Sequence, residues 1–380
     1  MPQPVALISH RYAPDVGGVE RVVEEQAKEL LQRGVPVEVI TCDPSQRLPK
    51  LEVLEGVVVR RFPTVARDSV YYVAPQLGAW LMAHAERFSV LYTHSFHTPL
   101  AFQSALAARA RQVPLFISPH YHGTGHTRFR SWLHIPYRPF AWWTLRAASH
   151  VICNTRTEEE LVHRHFGRRV RTSVVPNGVD TQALASARST STRNGRASIE
   201  VLSVGRLDSY KAMDRLVQAV PHLPTGSRLV LVGDGSHRPE LERQVQSLGI
   251  SNQVPFLGHV GRDDLLTQYR SADVFASLSR YESFGLAVLE GGVAGLPVLA
   301  SDLPAHQEVA GYMAPGRVQF VSQNTPPREV ARRLAETAAI GRTVDLRGWP
   351  LPTWAAQVDA IMAYYRADCT AASQRQEVPA

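Results

Sequence analysis

Short runs of apolar and β-branched residues recur along this chain, and amphipathic or turn-rich segments separate them. In the first half they read VALIS, PVEVITC, VVVRRF, VLYTHS, PLFISPH, HVICNT and TSVVPNGVD, with a helical period from about Val19 to Gln32 after the first run. Strands that alternate with helices need crossover connections, so the pattern predicts an α/β fold with parallel sheets. The stretch TQALASARSTSTRNGRAS, residues 181–198, interrupts the alternation with few large apolar side chains and many Ser, Thr and Arg, and reads as a linker. The pattern then resumes with IEVLSVG, RLVLVGDG, QVPFLGHV, ADVFASLS and LPVLAS.

A length of 380 residues exceeds what one hydrophobic core usually serves. The expected organisation is therefore a doubly wound domain over residues 1–180, the linker over 181–198 and a second doubly wound domain over 199–345. A C-terminal helical segment follows over 346–368, containing the apolar-faced WAAQVDAIMAYY, and a tail over 369–380. Apolar content of 44% and charged content of 20% exclude disorder as the default.

No apolar run is long enough to span a bilayer, and His10 and Arg11 interrupt VALIS before a signal-peptide core could form, so a cytoplasmic location is expected. Cys42, Cys153 and Cys369 are odd in number, far apart and without metal-ligand spacing, which fits a reducing compartment. The net charge of +7 favours an anionic partner. Arginine supplies nearly all the basic residues, the lysines being Lys28, Lys50 and Lys211, so a lysine inside a motif carries information.

Two doubly wound domains would place strand ends and helix starts around a shared cleft, where ligands of such folds bind. In SVGRLDSYKAMDRLV, Arg206 and Lys211 sit on a strand-end loop just before a helix; two cations beside helix amides suit a diphosphate. A solvated basic loop is the plainer alternative. In YESFGLAVLEGGVAG, a helix beginning near Phe284 or Gly285 has Glu282 just before it and Glu290 about two turns inside. At ~1.5 Å per residue the carboxylates stand roughly 10 Å apart, too far to share one reacting atom, though near enough for the geometry of an inverting carboxylate pair to be considered. The spacing suits a ligand with hydroxyls at both ends and phosphate between, which is the layout of a nucleotide sugar. The plainer readings are a helix N-terminal carboxylate for Glu282 and a paired buried residue for Glu290.

GGVERVV places Gly17 and Gly18 at the start of the first helix, where a ligand could approach the backbone closely; an ordinary turn is an equal alternative. VGDG, residues 232–235, lacks full dinucleotide-binding spacing. SPHYHGTGH holds His120, His122 and His126, a conceivable metal set, yet the chain has no D-x-D pair to hold an ion on a diphosphate, and a metal-free, cofactor-free site is expected. Residues 128–150 interleave aromatics with arginines, suiting either an anionic lipid surface or a helix pair that packs its aromatics inward. Nucleic acid is not an expected partner.

In this order GGVERVV, SPHYHG, VVPNGVD, VGRLDSYKAMDRLV, LVGDGS, VPFLGHV, YESFGLAVLEGGVAGLPVLAS and TWAAQVDAIMAYY resemble the GT-B glycosyltransferases of glycosyltransferase family 4, over nearly the whole chain. The resemblance implies two Rossmann-like domains facing a cleft, with the C-terminal helix crossing back to the first. It also implies retaining, metal-independent transfer from a nucleotide-diphosphate sugar, UDP- or GDP-linked, to a glycan or lipid-linked acceptor in cell-envelope synthesis, at the inner membrane face if residues 128–150 dock there. Arg206 and Lys211 would bind the diphosphate, Glu282 sugar hydroxyls, Glu290 the ribose, and His120 would lie against the transferred sugar. Gly17, Gly18, Gly205, Ser283, Phe284, Gly285 and Leu286 would complete the donor pocket, with Val260 near the base. Two features depart from the family pattern: Ala212 stands where glycine is usual, and HQEVAGYMAPGRVQF replaces a more usual glycine-rich segment. A catalytically silent nucleotide-sugar binder, or a GT-B epimerase or phosphorylase, are the competing readings.

Overall fold

Strands buried on both faces need apolar side chains at every position, and the runs that read as unbroken Val, Ile and Leu are the central strands of two sheets. The computed structural model describes residues 3–67, 72–123, 128–188 and 198–376, with side chains described outside 128–137 and 369–376. The chain divides into two units, Met1–Gly178 with Trp354–Ala380, and Val179–Thr353. Both are Rossmann-like α/β structures.

The first unit holds β1 (Val5–Ser9), β2 (Val37–Asp43), β3 (Leu51–Leu54), β4 (Val57–Pro63), β5 (Val90–His94), β6 (Leu115–Ser118), β7 (His150–Cys153) and β8 (Thr172–Val174). Their order is β3-β4-β2-β1-β5-β6-β7-β8, parallel except for the β3–β4 hairpin. That hairpin turns on Glu55 and Gly56, both at positive φ, which is the geometry a two-residue hairpin turn demands. β3 is an edge strand with alternating exposure, and the sequence reading passed over it because it buries little.

The helix Gly18–Gln32 lays Val22, Val23, Gln26, Ala27 and Leu30 inward. Beside it the helix Trp354–Gln376 inserts Val358 and Ile361 into a core shared with Val5, Leu7, Val90 and Phe116. Two polar ties fix this pairing: Arg33 Nε donates to Asp359 at 2.8 Å, and buried Gln357 accepts from Gln26 at 3.3 Å and donates to Asn177 at 3.0 Å. The helix starts at Trp354; Leu346, Trp349 and Leu351, grouped with it in the sequence reading, pack instead on the core of the second unit.

The second unit holds β9 (Glu200–Val204), β10 (Arg228–Val232), β11 (Phe256–Gly258), β12 (Val274–Ser277), β13 (Val298–Ser301) and β14 (Val318–Val321), in the order β11-β10-β9-β12-β13-β14, with every strand pair parallel. Strand order reverses between β9 and β12, and ligands of doubly wound sheets bind beyond the carboxyl ends of the strands at that switch. Part of the expected linker belongs to this unit: Asp180 caps the short helix Thr181–Ala185 by accepting from Ala183 N at 2.9 Å, and Leu184 and Ala187 are buried in the core. Residues 189–197 lie outside the described residues.

The described helix Arg128–Ala147 is a single helix, not a helix pair. It buries Ala141, Thr144 and Leu145 and leaves Phe140 and Trp142 about half exposed, with the Arg146 guanidinium 4.7 Å from the Trp142 ring. No helix among the described residues is long and apolar enough to cross a membrane. Cys42 and Cys153 are buried as free thiols, and burial pushes the Cys42 thiol up to about 12.

Candidate active site

The loops after β9 and β12 carry the two motifs singled out in the second half, and they meet at the switch point. Lys211 ends a short 3-10 turn over Ser209–Lys211, after which Ala212 takes the left-handed conformation, φ +51°, and starts the helix Met213–Ala219. Glycine would adopt that φ without strain; here alanine does, wholly buried. The turn aims Lys211 Nζ at Glu282 Oε1, 2.5 Å away, and Ser279 Oγ donates to the same oxygen at 2.9 Å. The pair is 18% and 13% exposed, so its charges are held in poor solvent.

Burial alone would discharge both groups, but each holds the other charged. Desolvation pulls the Lys211 ammonium down, and the Glu282 carboxylate outweighs it, leaving a net rise. Desolvation pushes Glu282 up, and Lys211, His306 and the two hydrogen bonds bring it below the ordinary carboxylate range. Arg206 stands on the same loop, its Nη2 3.0 Å from Asp208 Oδ2 and 3.3 Å from the Tyr210 hydroxyl to which it donates. Lys211 Nζ also lies 5.4 Å from the Tyr210 ring centre.

Gly285 precedes the helix Leu286–Val293 at φ +99°. Its conformation excludes other residues, and so does its space: a Cβ there would stand 2.9 Å from the His306 ring. Phe284 is buried as an anchor beside Tyr312, so its backbone is the part offered to a ligand at the helix start, where the first-turn amides have no acceptor within the helix. Ser283, Leu286 and Val260 are half-buried. Glu290 comes two turns into the helix, half-buried, and its Oε2 accepts from the Tyr269 hydroxyl at 3.4 Å.

The VGDG run has a packing role. Gly233, at φ +121°, leaves no room for a Cβ, which would stand 2.1 Å from Gly205 O, and Gly205 N donates back to Val232 O at 3.0 Å. These glycines let the loops after β9 and β10 touch, which sets the position of Arg206.

In the first unit the residues predicted to matter again follow strand ends. Gly17 caps the first helix in extended backbone and Gly18 opens it; nothing within 4 Å would obstruct a Cβ on Gly18. His120, just beyond β6, is 9% exposed and sits at φ +50°, an unusual conformation for a non-glycine residue. Both of its ring nitrogens are engaged: Asn154 Nδ2 donates to Nδ1 at 3.2 Å, and Nε2 meets His94 Nδ1 at 3.1 Å. Burial lowers its pKa to about 4, so the ring is neutral near pH 7 and its partners leave it no nitrogen for a metal. His122 is described but forms no metal-ligand group among the described residues, and His126 lies outside them.

Two residues in this region had escaped the sequence reading. His94, wholly buried, is the ring partner of His120. Glu158 accepts from Tyr121 N at 2.5 Å and from Asn154 N at 2.6 Å, pinning the loops on either side of His120. Its signal was present as T-x-x-E: Thr155 caps the helix Arg156–Phe166 by accepting from Glu158 N at 3.0 Å, and the glutamate reaches back as in a capping box.

A fixed ammonium–carboxylate pair and a guanidinium thus gather at the switch point of a doubly wound sheet, the place where ligands of such sheets bind. The pattern of Glycosyltransferase Family 4 matches residues 16–183 and that of Glycosyl transferases group 1 matches residues 191–337. A D-inositol 3-phosphate glycosyltransferase of Xylanimonas cellulosilytica is 31% identical over 351 residues, spanning 78% of this chain and 80% of the relative. The chain belongs to these group 1, family 4 glycosyltransferases and is a transferase enzyme. Among solved structures, sucrose-phosphate synthase from Thermosynechococcus elongatus matches with a TM-score of 0.80 at 22% identity, covering 97% of this chain and 100% of that one. Anabaena HepE, solved in complex with UDP and glucose, matches with a TM-score of 0.70 at 20% identity over 98% of this chain and 100% of that one. These likenesses show the GT-B fold.

Proposed function

We propose that the chain moves a glycosyl group from a nucleoside diphosphate sugar to an acceptor hydroxyl, with retention at the anomeric carbon and without a metal ion. The observation that carries this reading is the Lys211–Glu282 pair at the switch point, on the loop that also bears Arg206. As the bond from the anomeric carbon to the phosphate oxygen breaks, negative charge grows on the diphosphate and positive charge on the sugar. Preorganised cations stabilise the first without reorganising at the moment of reaction. Lys211 has three donors and spends one on Glu282, so it can hold a phosphate oxygen and remain paired.

Glu282 serves as an acceptor for sugar hydroxyls. Its Oε1 already takes two hydrogen bonds, which suits a positioning group better than a covalent nucleophile. Retention then follows from a front-face displacement: the acceptor oxygen bonds to the anomeric carbon on the face the phosphate leaves, and its proton passes to the departing phosphate oxygen. The amides at Ser283, Phe284, Gly285 and Leu286 face the diphosphate, with Gly205 lining the same loop, Glu290 takes the ribose hydroxyls, and Val260 borders the base. Gly17 and Gly18 complete the phosphate cradle and His120 lies against the transferred sugar, the roles the family resemblance implies for them.

The complex of HepE with UDP and glucose supports a uridine nucleotide as the first donor to test, with guanosine second. The relative's name supports a phosphorylated cyclitol as the first acceptor, ahead of a glycan or lipid-linked acceptor of the cell envelope. The half-exposed Phe140 and Trp142 beside Arg146 support contact with anionic membrane, which liposome sedimentation at two salt concentrations would test.

The deciding experiment incubates the chain with UDP-glucose, UDP-N-acetylglucosamine or GDP-mannose and D-inositol 3-phosphate, with EDTA present, and reads the anomeric proton of the product by NMR. Product with the donor's anomeric configuration is expected. Inverted product would overturn retention, and activity restored only by added Mg²⁺ would overturn metal independence. Free sugar with no glycosylated acceptor would favour the epimerase reading.

A further inference from the structure

The segment that departs from the family pattern after the second glutamate contains His306, on the helix Pro304–Ala310 that follows β13. It is wholly buried. Its Nδ1 lies 2.9 Å from Ser301 O, and because a carbonyl oxygen accepts, Nδ1 carries the proton. In the neutral ring Nε2 then presents a lone pair, and that atom makes no hydrogen bond with the described protein. Ser301 Oγ, on the same residue that holds the ring, is likewise buried without a partner. Two unsatisfied polar atoms at the end of one strand are uncommon in a well-packed interior.

The surroundings say what they face. The Cδ2–Nε2 edge of His306 occupies the space a side chain at position 285 would fill, with Nε2 only 3.3 Å from where a Cβ would stand. The ring is close enough to exchange electrostatic influence with Glu282 and Lys211. Burial keeps it neutral, since desolvation outweighs the carboxylate. A neutral ring nitrogen with a free lone pair, close to an acceptor carboxylate, can take a hydrogen bond from a hydroxyl but offers none to a phosphate oxygen.

We propose that His306 Nε2 accepts a hydrogen bond from a hydroxyl of the transferred sugar, forming with Glu282 an acceptor pair that reads two hydroxyls of the donor. This deepens the glycosyltransferase reading and rests on it. His306 is a specificity residue: it should act on the sugar nucleotide and leave the bare nucleotide alone.

Calorimetric titration of the full chain with UDP-glucose and with UDP tests this, the affinity gain of the first over the second being the readout. His306→Asn keeps a donor for Ser301 O and removes the distal acceptor; His306→Gln presents an amide oxygen near the place of Nε2. The native chain should show a gain, His306→Asn should lose about tenfold of it with UDP affinity unchanged, and His306→Gln should keep most of it. Equal weakening of both ligands in His306→Asn, or a full gain retained there, would overturn the proposal, as would a native chain that binds UDP and UDP-glucose equally. Should His306→Asn melt below the assay temperature, loss of the gain in folded His306→Gln overturns it. If the native chain binds neither UDP, GDP nor their sugars, the donor reading itself fails and His306 with it.

Discussion

Lys211 Nζ donates to Glu282 Oε1 across 2.5 Å and so ties the loop after β9 to the loop after β12, where the order of strands reverses. Neither charge would be stable there without the other. Removing one member leaves a poorly solvated charge unpaired, whereas removing both can leave stability close to native.

Lys211→Ala should therefore lower kcat by about 10²- to 10³-fold, the scale of losing one preorganised donor to a developing anion. Glu282→Ala should destabilise by about 3 kcal/mol. The double variant Lys211→Met, Glu282→Leu should recover much of the melting temperature without recovering transfer. A double variant as unstable as Glu282→Ala would show that the pair holds the fold by its charges rather than the site.

In the proposed function Glu290 takes the ribose hydroxyls, and Tyr269 donates to its carboxylate. Glu290→Gln should weaken UDP binding about tenfold, the worth of a charge-assisted hydrogen bond, and leave 2′,3′-dideoxyuridine diphosphate unaffected. Titration of both nucleotides into both proteins checks this; parallel losses would move the ribose contact elsewhere.

Acid should destabilise the first unit in a defined window. Burial lowers the pKa of His120 from 6.5 to about 4, and that of His94 well below 6.5. Below pH 6.5 the unfolded chain thus binds protons the folded chain refuses, so their contribution is complete above pH 6.5 and is lost as pH falls towards 4. His120 alone accounts for about 3 kcal/mol across that window. Denaturant unfolding between pH 7 and 4.5 should show the loss, and His94→Gln should flatten it.

Gly233→Ala faces both an unfavourable φ of +121° and a Cβ 2.1 Å from Gly205 O. Because the clash is with backbone, the cost should exceed about 3 kcal/mol. Gly34→Ala, at φ +71° with nothing within 4 Å, should cost about 1 kcal/mol by conformation alone. Similar melting temperatures for the two variants would show that the loops after β9 and β10 can part freely.

The placement of the candidate residues was legible because they rest on strand–loop–helix units, in which a motif following an apolar run must lie at a strand end. Arg206, Lys211, Glu282 and Gly285 are of this kind. The edge strands β3 and β14 were not, since strands that bury little lack the continuous apolar signature of central ones. Residues 181–188 read as linker because two buried apolar side chains, Leu184 and Ala187, are too few to stand out among serines and arginines. His94 and His306 gave no local signal: one was an ordinary strand residue, the other part of an unfamiliar segment.

The sequence by itself determined the α/β class, the two units and the order of the motifs, because periodicity and turn chemistry act between residues close in the chain. Tertiary structure decided which charges pair, which glycines are required and which histidines stay neutral. Those properties depend on desolvation and on distances between loops 71 residues apart, as for Lys211 and Glu282, and no local pattern encodes them.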